Sequence, residues 1–114
     1  MLDDLDDSAL DDLPFGVVCL SESMTVLRMN RTESERSGIQ RWRAIGRDFF
    51  GDVAPGPTNV ALAEHIRAFT TARGAGASSA ITHTFKRRSG EDPTTIELVR
   101  GRNAGRVYLC IRRE

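Results

Sequence analysis

The residues able to carry proton or metal chemistry are few, and they stand apart from one another along the chain. Glu33 follows Asn30 by three positions, the spacing of an N-cap and a carboxylate at N3, which closes a capping box at the start of a helix. His65 lies three residues after Leu62 and four before Phe69, so it borders the apolar face of a longer helix as a half-exposed flank. His83 shares strand parity with Ile81 and Phe85. There it either protonates between about pH 5 and 8 and loosens an interface, or serves as a hydrogen-bonded residue of the sheet. Cys19 and Cys110 sit inside apolar runs with no CxxC spacing, the pattern of reduced core thiols rather than of a zinc, redox or disulfide site. No nucleophile has an identifiable base, no cluster has metal-ligand spacing, and Gly74 and Gly76 lack the following helix that a phosphate loop needs. The expectation is a chain that is not an enzyme, binds no metal and carries no cofactor.

Overall charge names no partner and speaks against nucleic acid. Sixteen basic and sixteen acidic residues cancel, which removes the basic footprint of a nucleic-acid binder. The balance is uneven locally. Residues 1–13 hold six aspartates and no base, whereas residues 86–114 hold eight bases against four acids, so an acidic front is expected to lie on a basic back. Arg87, Arg88, Arg100, Arg102, Arg106, Arg112 and Arg113 fall at alternating strand positions and turns, which scatters them over different faces. Trp42, the single tryptophan, is flanked by Arg41 and Arg43 and reads either as an anchor for a partner or as a residue packed over the sheet. No apolar run approaches the roughly 20 residues of a membrane span, and the acidic start is the opposite of a signal peptide's. A soluble, cytoplasmic domain without a membrane partner is expected.

The chain has 114 residues, 39% hydrophobic and 28% charged, enough for one compact domain. Leu2, Leu5, Ala9, Leu10 and Leu13 recur at three- and four-residue intervals, predicting a short acidic helix or two over residues 1–13, with Pro14 as the break. Residues 15–20 and 25–29 form a hairpin around Ser21, Glu22 and Ser23. A helix then runs from Asn30 to Gly38, a further turn covers residues 40–45, and an irregular buried segment spans residues 49–57. Thr58 is the expected N-cap of the longest helix, which continues to about Arg73 before a small-residue loop at Gly74 and Gly76. Strands over residues 79–86, 95–99 and 107–111, with turns at 89–93 and 101–105, complete a meander. Two strands, helices and three strands make an α+β domain.

Three stretches carry a resemblance: LDDLPFGVVCL (residues 10–20), LRMNRTE (27–33) and above all IGRDFFGDVAP (45–55), with two adjacent phenylalanines between glycines before Val-Ala-Pro. In these the chain resembles the photoactive yellow protein branch of the PAS family, from residue 2 onward and without large insertions. The resemblance implies a five-stranded antiparallel sheet with helices on one face, an N-terminal helical cap of residues 1–13, and a PAS domain of residues 14–114.

The departures from the family shape the functional expectation. The family carries a p-coumaroyl thioester on the cysteine that follows Val-Ala-Pro, and here that residue is Gly56. The tyrosine and glutamate that bind the phenolate correspond to Met29 and Glu33, the neighbouring threonine to Ser37, and the pocket's arginine to Ile39. Without the thiol, the resemblance implies the fold and argues against the photochemistry.

Two readings follow. In the first, the chain is a non-photoactive signalling module that binds a protein partner or a second copy of itself. Its cap, through Leu2, Leu5 and Leu10, hides an apolar sheet surface, and Trp42 and His83 are further interaction candidates. In the second, it is a sensor in which a non-covalent ligand, flavin or haem fills a cavity near Met29, Glu33, Ser37, Phe49 and Gly56. His65 would then be the candidate iron ligand, because some PAS domains ligate haem from this helix. Burial of Glu33 like its counterpart would raise its pKa.

Overall fold

The structure is a computed structural model that describes residues 2–71, 78–87, 90–102 and 105–113. Five strands, β1 (Gly16–Leu20), β2 (Val26–Met29), β3 (Ser78–Arg87), β4 (Gly90–Arg100) and β5 (Val107–Arg112), form one antiparallel sheet in the order β2-β1-β5-β4-β3. Helices α1 (Asp7–Asp11), α2 (Arg31–Ser37), α3 (Arg41–Ala44) and α4 (Val60–Thr71) complete the described fold with short 3₁₀ turns at Leu2–Asp4 and Pro57–Asn59.

Strand parity sorts the sheet into two apolar faces. Val18 and Leu20 of β1, Ile96 and Leu98 of β4, Val107, Leu109 and Ile111 of β5 and Phe85 of β3 pack with Leu62, Ile66 and Phe69 of α4. On the opposite face Val17, Cys19 and Tyr108 pack with Leu10, Leu2, Leu5 and Leu13 from the N-terminal segment. Because both faces are covered there, every residue of β1 is buried and its sequence is an unbroken apolar run rather than an alternating one. β3 is covered on one face only and alternates as expected.

Several local expectations are corrected. The long helix starts at Val60, and Thr58 belongs to the preceding 3₁₀ turn, because Pro57 begins a tighter turn whose last amide, on Val60, bonds back to Pro57. The predicted turn over residues 89–93 is displaced: β4 already begins at Gly90 and Pro93 lies inside it, opposite Thr84. Proline is tolerated there because the register between β4 and β5 begins only at Thr95 and Arg112, so no β5 partner is paired at that position. The segment expected to be irregular and buried contains a π-helical turn at Phe49–Val53; Phe49 and Ala54 are buried but Pro55, Gly56 and Pro57 are exposed. Arg73, Gly74, Gly76 and Arg88 lie outside the described residues.

The N-terminal segment is fastened by polar groups at both of its ends. Arg28 of β2 donates to the Leu5 carbonyl (2.6 Å) and the Tyr108 hydroxyl (2.9 Å), and it lies 3.3 Å from Asp7. Tyr108 donates in turn to Asp3 (2.6 Å), and Asp3 and Asp4 also meet Arg102. Farther on, Asp11 binds Arg41 (2.8 Å) and the Thr32 hydroxyl donates to the Leu13 carbonyl (2.7 Å). The acidic front thus meets bases from β2, α3 and the β4–β5 turn, a wider set than the C-terminal third alone.

Asn30 joins the N-terminal segment to β1 and α2. Its carbonyl oxygen accepts from Val17 N–H (2.9 Å) and Glu33 N–H (3.0 Å), while its amide donates to the Leu10 (2.8 Å) and Phe15 (3.1 Å) carbonyls. It is 1% exposed, and the buried Val17 and Glu33 amides both take it as their acceptor. Asn30→Ala should cost about 3 kcal/mol in urea unfolding, combining a lost N-cap with stranded buried backbone groups. Asn30→Asp should be nearly as costly, since a carboxylate cannot donate to Leu10 or Phe15.

Candidate functional site

The capping box predicted from Asn30 and Glu33 forms only by half. Asn30 caps α2 through its side chain, but its own backbone N–H donates to the Val17 carbonyl (3.0 Å), leaving no partner there for the Glu33 carboxylate. Glu33 therefore turns to the sheet. It lies over Gly16, where a Cβ would collide with its Oε1, so only glycine admits the carboxylate at that position.

There Glu33 meets an arginine that the sequence reading had assigned to a scattered set. Arg113 Nη1 donates to Glu33 Oε1 (2.7 Å) and Nη2 to Oε2 (3.1 Å), the bidentate fork that suits a guanidinium and a carboxylate. The same guanidinium donates through Nε to Asp92 Oδ1 (2.9 Å), and Arg87 Nε reaches Asp92 Oδ2 at 3.3 Å. Two carboxylates and two guanidiniums thus close the end of the helix-side core, with Arg113 and Glu33 side chains only 11% and 5% exposed. Burial pushes the Glu33 pKa up against the opposing pull of Arg113, with a net rise. Burial also raises Asp92, but Arg113 and Arg87 outweigh it and hold this carboxyl below its usual range.

Arg113, Asp92 and Arg87 were missed as site residues, although a signal was present. Arg113 keeps the inward parity of Leu109 and Ile111, and Asp92 is paired with the inward-facing Phe85. A charge on an inward position at a strand end implies a buried partner.

The other nominated pocket residues are not drawn to this cluster. Met29 and Phe49 are core side chains, and Phe49 stacks edge-on against Phe50. Ser37 Oγ accepts from Ile39 N–H (3.2 Å), and His65 Nε2 pairs with Ser79 Oγ (3.2 Å) on β3. His83 turns inward: Nε2 is 2.8 Å from Asn59 Oδ1, and its ring packs edge-on to Phe85 at 4.7 Å. Because Asn59 Nδ2 already donates to the Ala54 carbonyl, its oxygen requires a donor and His83 carries the proton on Nε2. Burial lowers the His83 pKa, favouring the neutral ring. Trp42 is not packed over the sheet but 72% exposed. A groove of about 420 Å³ opens beside the charge cluster, with Asp92 and Arg113 in its lining together with Thr82, Thr84, Pro93, Thr95 and Arg112. Of the nominated residues, only His83 borders it.

Gly56 adopts φ +127° and ψ 152°, a region essentially restricted to glycine. Its missing Cβ would meet nothing within 4 Å, so space is available but the backbone geometry is unsuited to a side chain. The position therefore differs from a cysteine by more than one sulfur.

No family model matches the chain. A photoactive yellow protein of Rhodothalassium salexigens is 42% identical over 52 residues, a stretch that is 46% of this chain and 42% of that relative, so the match spans less than half of the relative's length. Among solved structures, the photoactive yellow protein domain of the sensor histidine kinase Ppr from Rhodospirillum centenum superposes with a TM-score of 0.83 at 26% identity, covering 97% of this chain and 96% of that one. The PAS domain of an HTR-like protein from Haloarcula marismortui gives 0.70 at 16% identity, covering 95% and 93%. The PAS domain of the Cronobacter turicensis quorum-sensing receptor RpfR, in complex with C12:0, gives 0.73 at 17%, covering 90% and 95%. With the observed sheet order, these likenesses define a PAS-fold domain. Within that class, its sequence and structure are similar to photoactive yellow protein.

Two outcomes follow from this geometry. Arg113→Gln should destabilise the fold by about 3 kcal/mol, because it leaves Glu33 buried without its counter-charge. That loss should shrink as pH falls: an unpaired, buried Glu33 has a folded pKa above its unfolded one, so protonation favours the folded state and ionisation penalises it as pH rises. Urea titrations at several pH values check both points. Separately, Gly56→Cys should cost about 1–3 kcal/mol through backbone strain, measured against Gly56→Ala, which should lose a similar amount.

Proposed function

We propose that this chain is a signalling module that works without a tethered chromophore. It would bind a protein partner or a second copy through the sheet face on which its N-terminal segment lies. The observation that carries this reading is the manner in which that segment is held. Its apolar side chains cover Val17, Cys19 and Tyr108, and residues 2–9 are tied down by polar contacts at Arg28, Tyr108 and Arg102. Such contacts can be exchanged for equivalent ones from another chain without loss of the core beneath. The neighbouring half of the same face carries exposed Ala80, Thr82 and Thr95, giving a partner a continuous surface.

The exchangeable part is narrower than residues 1–13. Leu10, Asp11 and Leu13 are bound by Asn30, Arg41 and Thr32. Residues 2–9 rest on Arg28, Tyr108 and Arg102 alone among the polar contacts described above.

The likeness to a sensor-kinase domain supports a signalling role, and the RpfR domain shows that this fold accommodates a small molecule in that receptor. A ligand acting at Glu33 in this chain would first have to displace Arg113 from both carboxylate oxygens, which favours the protein-contact reading. Among the described residues no helix is long and apolar enough to cross a membrane.

The test uses Cys19, which is fully buried and whose thiol burial pushes up to about 11. In a Cys110→Ala background, deletion of residues 2–9 should speed Cys19 labelling by a thiol reagent by about tenfold or more, since exposure returns the thiol toward its ordinary acidity. Full-length Arg28→Gln should act in the same direction. The deletion should also change oligomeric state or partner affinity in sedimentation experiments. Unchanged labelling together with unchanged association rejects the reading.

A further inference from the structure

The surface most at odds with a monomer lies away from both sheet faces, on α3. Trp42 is 72% exposed and Ile45, three residues on and so on the same side of the turn, is 46% exposed. Neither sits on a loose loop. Ala44 between them is fully buried, Ile45 N–H bonds to the Arg41 carbonyl (2.9 Å), and the next residues clamp the edge of β2. Gly46 N–H donates to the Val26 carbonyl (2.8 Å) and Val26 N–H to the Arg47 carbonyl (2.9 Å). The indole is thus presented on a rigid platform, which reduces the ordering cost of binding.

Along the chain the charge between Glu35 and Asp48 is of one sign. Residues 36–47 contain Arg36, Arg41, Arg43 and Arg47 and no acid. Arg41 is held by Asp11, while Arg43 stacks over the Trp42 ring at 5.0 Å. Among the described residues, Arg36, Arg43 and Arg47 have no carboxylate partner, in a chain whose total charge is zero and whose Arg28, Arg87, Arg112 and Arg113 are all paired. A rigid exposed tryptophan beside arginines is the composition of an interface hot spot.

We infer that α3 and its flanking arginines form a docking site for an acidic, aliphatic-bearing segment of a partner protein, with Trp42 and Ile45 as the apolar anchor and Arg43 and Arg47 as the ionic rim. The strip is narrow. On one side Asp11 and Asp12 of the N-terminal segment meet Arg41 and Arg31, and the Asp12 side chain is 77% exposed. A broad anionic surface such as a lipid bilayer or a nucleic-acid backbone would press on those carboxylates, whereas a single segment can run beside them. This site is independent of the sheet-face reading.

Trp42 is the only tryptophan, so intrinsic emission reports this site alone. The probe is a synthetic helical peptide with leucines spaced i, i+4 among glutamates, compared with the same peptide carrying lysines for the glutamates. The full chain should give a saturable blue shift with the acidic peptide only, weakened by added salt. Arg43→Glu with Arg47→Glu should reduce affinity about tenfold or more, with circular dichroism unchanged, whereas Arg67→Glu on α4 should leave it unaltered. Absence of a saturable shift, equal binding of the lysine peptide, or indifference to the Arg43 and Arg47 reversals would overturn the inference. So would a shift seen only with phosphatidylglycerol vesicles, which would assign the surface to lipid, or only on concentrating the protein alone, which would assign it to a second copy.

Discussion

One buried carboxamide holds this fold together across its layers. Asn30 spends both lone-pair directions of its oxygen and both of its amide protons on backbone groups from the N-terminal segment, β1 and the first turn of α2. The Val17 and Glu33 amides are buried at this point, so the arrangement is worth more than the modest net value of ordinary hydrogen bonds: removing the side chain leaves those donors desolvated and without it. It also fixes direction. By satisfying Glu33 N–H while its own backbone N–H goes to Val17, Asn30 takes the duties a capping box would have shared and releases the Glu33 carboxylate toward the sheet.

That release explains why the candidate site was only partly legible in the sequence. The hairpin, the capped helix α2, the long helix and the meander were readable because apolar period, caps and turns agree with one another over those stretches. The five-stranded fold followed from the resemblance carried by IGRDFFGDVAP. Missed were features decided by tertiary contact. Glu33 next to Asn30 looks self-sufficient until the Val17 carbonyl takes the amide it was to cap. Arg113 and Asp92 are 21 positions apart across strand and turn and meet only through the β4–β5 register. The start of α4 was misplaced because Thr58 has the right type for a cap but follows a proline already committed to a tighter turn. Pro93 was read as a breaker because sequence alone does not say where a neighbouring strand ends.

The two covered faces of the sheet meet at β1. Its inward residues Val18 and Leu20 belong to the main core and its outward residues Val17 and Cys19 to the layer beneath the N-terminal segment. Val17 is held through its N–H and its carbonyl by the same residue, Asn30. The helix that carries Glu33 and the segment that covers Tyr108 are consequently one side chain apart, although they lie on opposite faces. A displacement of α2 cannot leave the N-terminal segment untouched unless the carboxamide gives up Leu10 or Phe15.

The charge cluster itself is better understood as positioning than as stabilisation. A buried ion pair recovers in Coulomb attraction and hydrogen bonds roughly what it costs in desolvation, so an apolar replacement of similar volume would serve stability about equally well. What the apolar replacement could not do is choose a register. A bidentate carboxylate on α2 and a second one on β4 accept the Arg113 guanidinium in a single orientation, which ties the last residues of β5 to both elements. In the branch this chain resembles, the glutamate is expected to face a phenolate held by a covalent tether. Here its partner is a cation supplied by the chain itself, at a place where the tether position has a backbone suited only to glycine. The pocket end is thus organised around an internal counter-charge, and the groove that Asp92 and Arg113 help to line opens beside that pair rather than beside a free carboxylate.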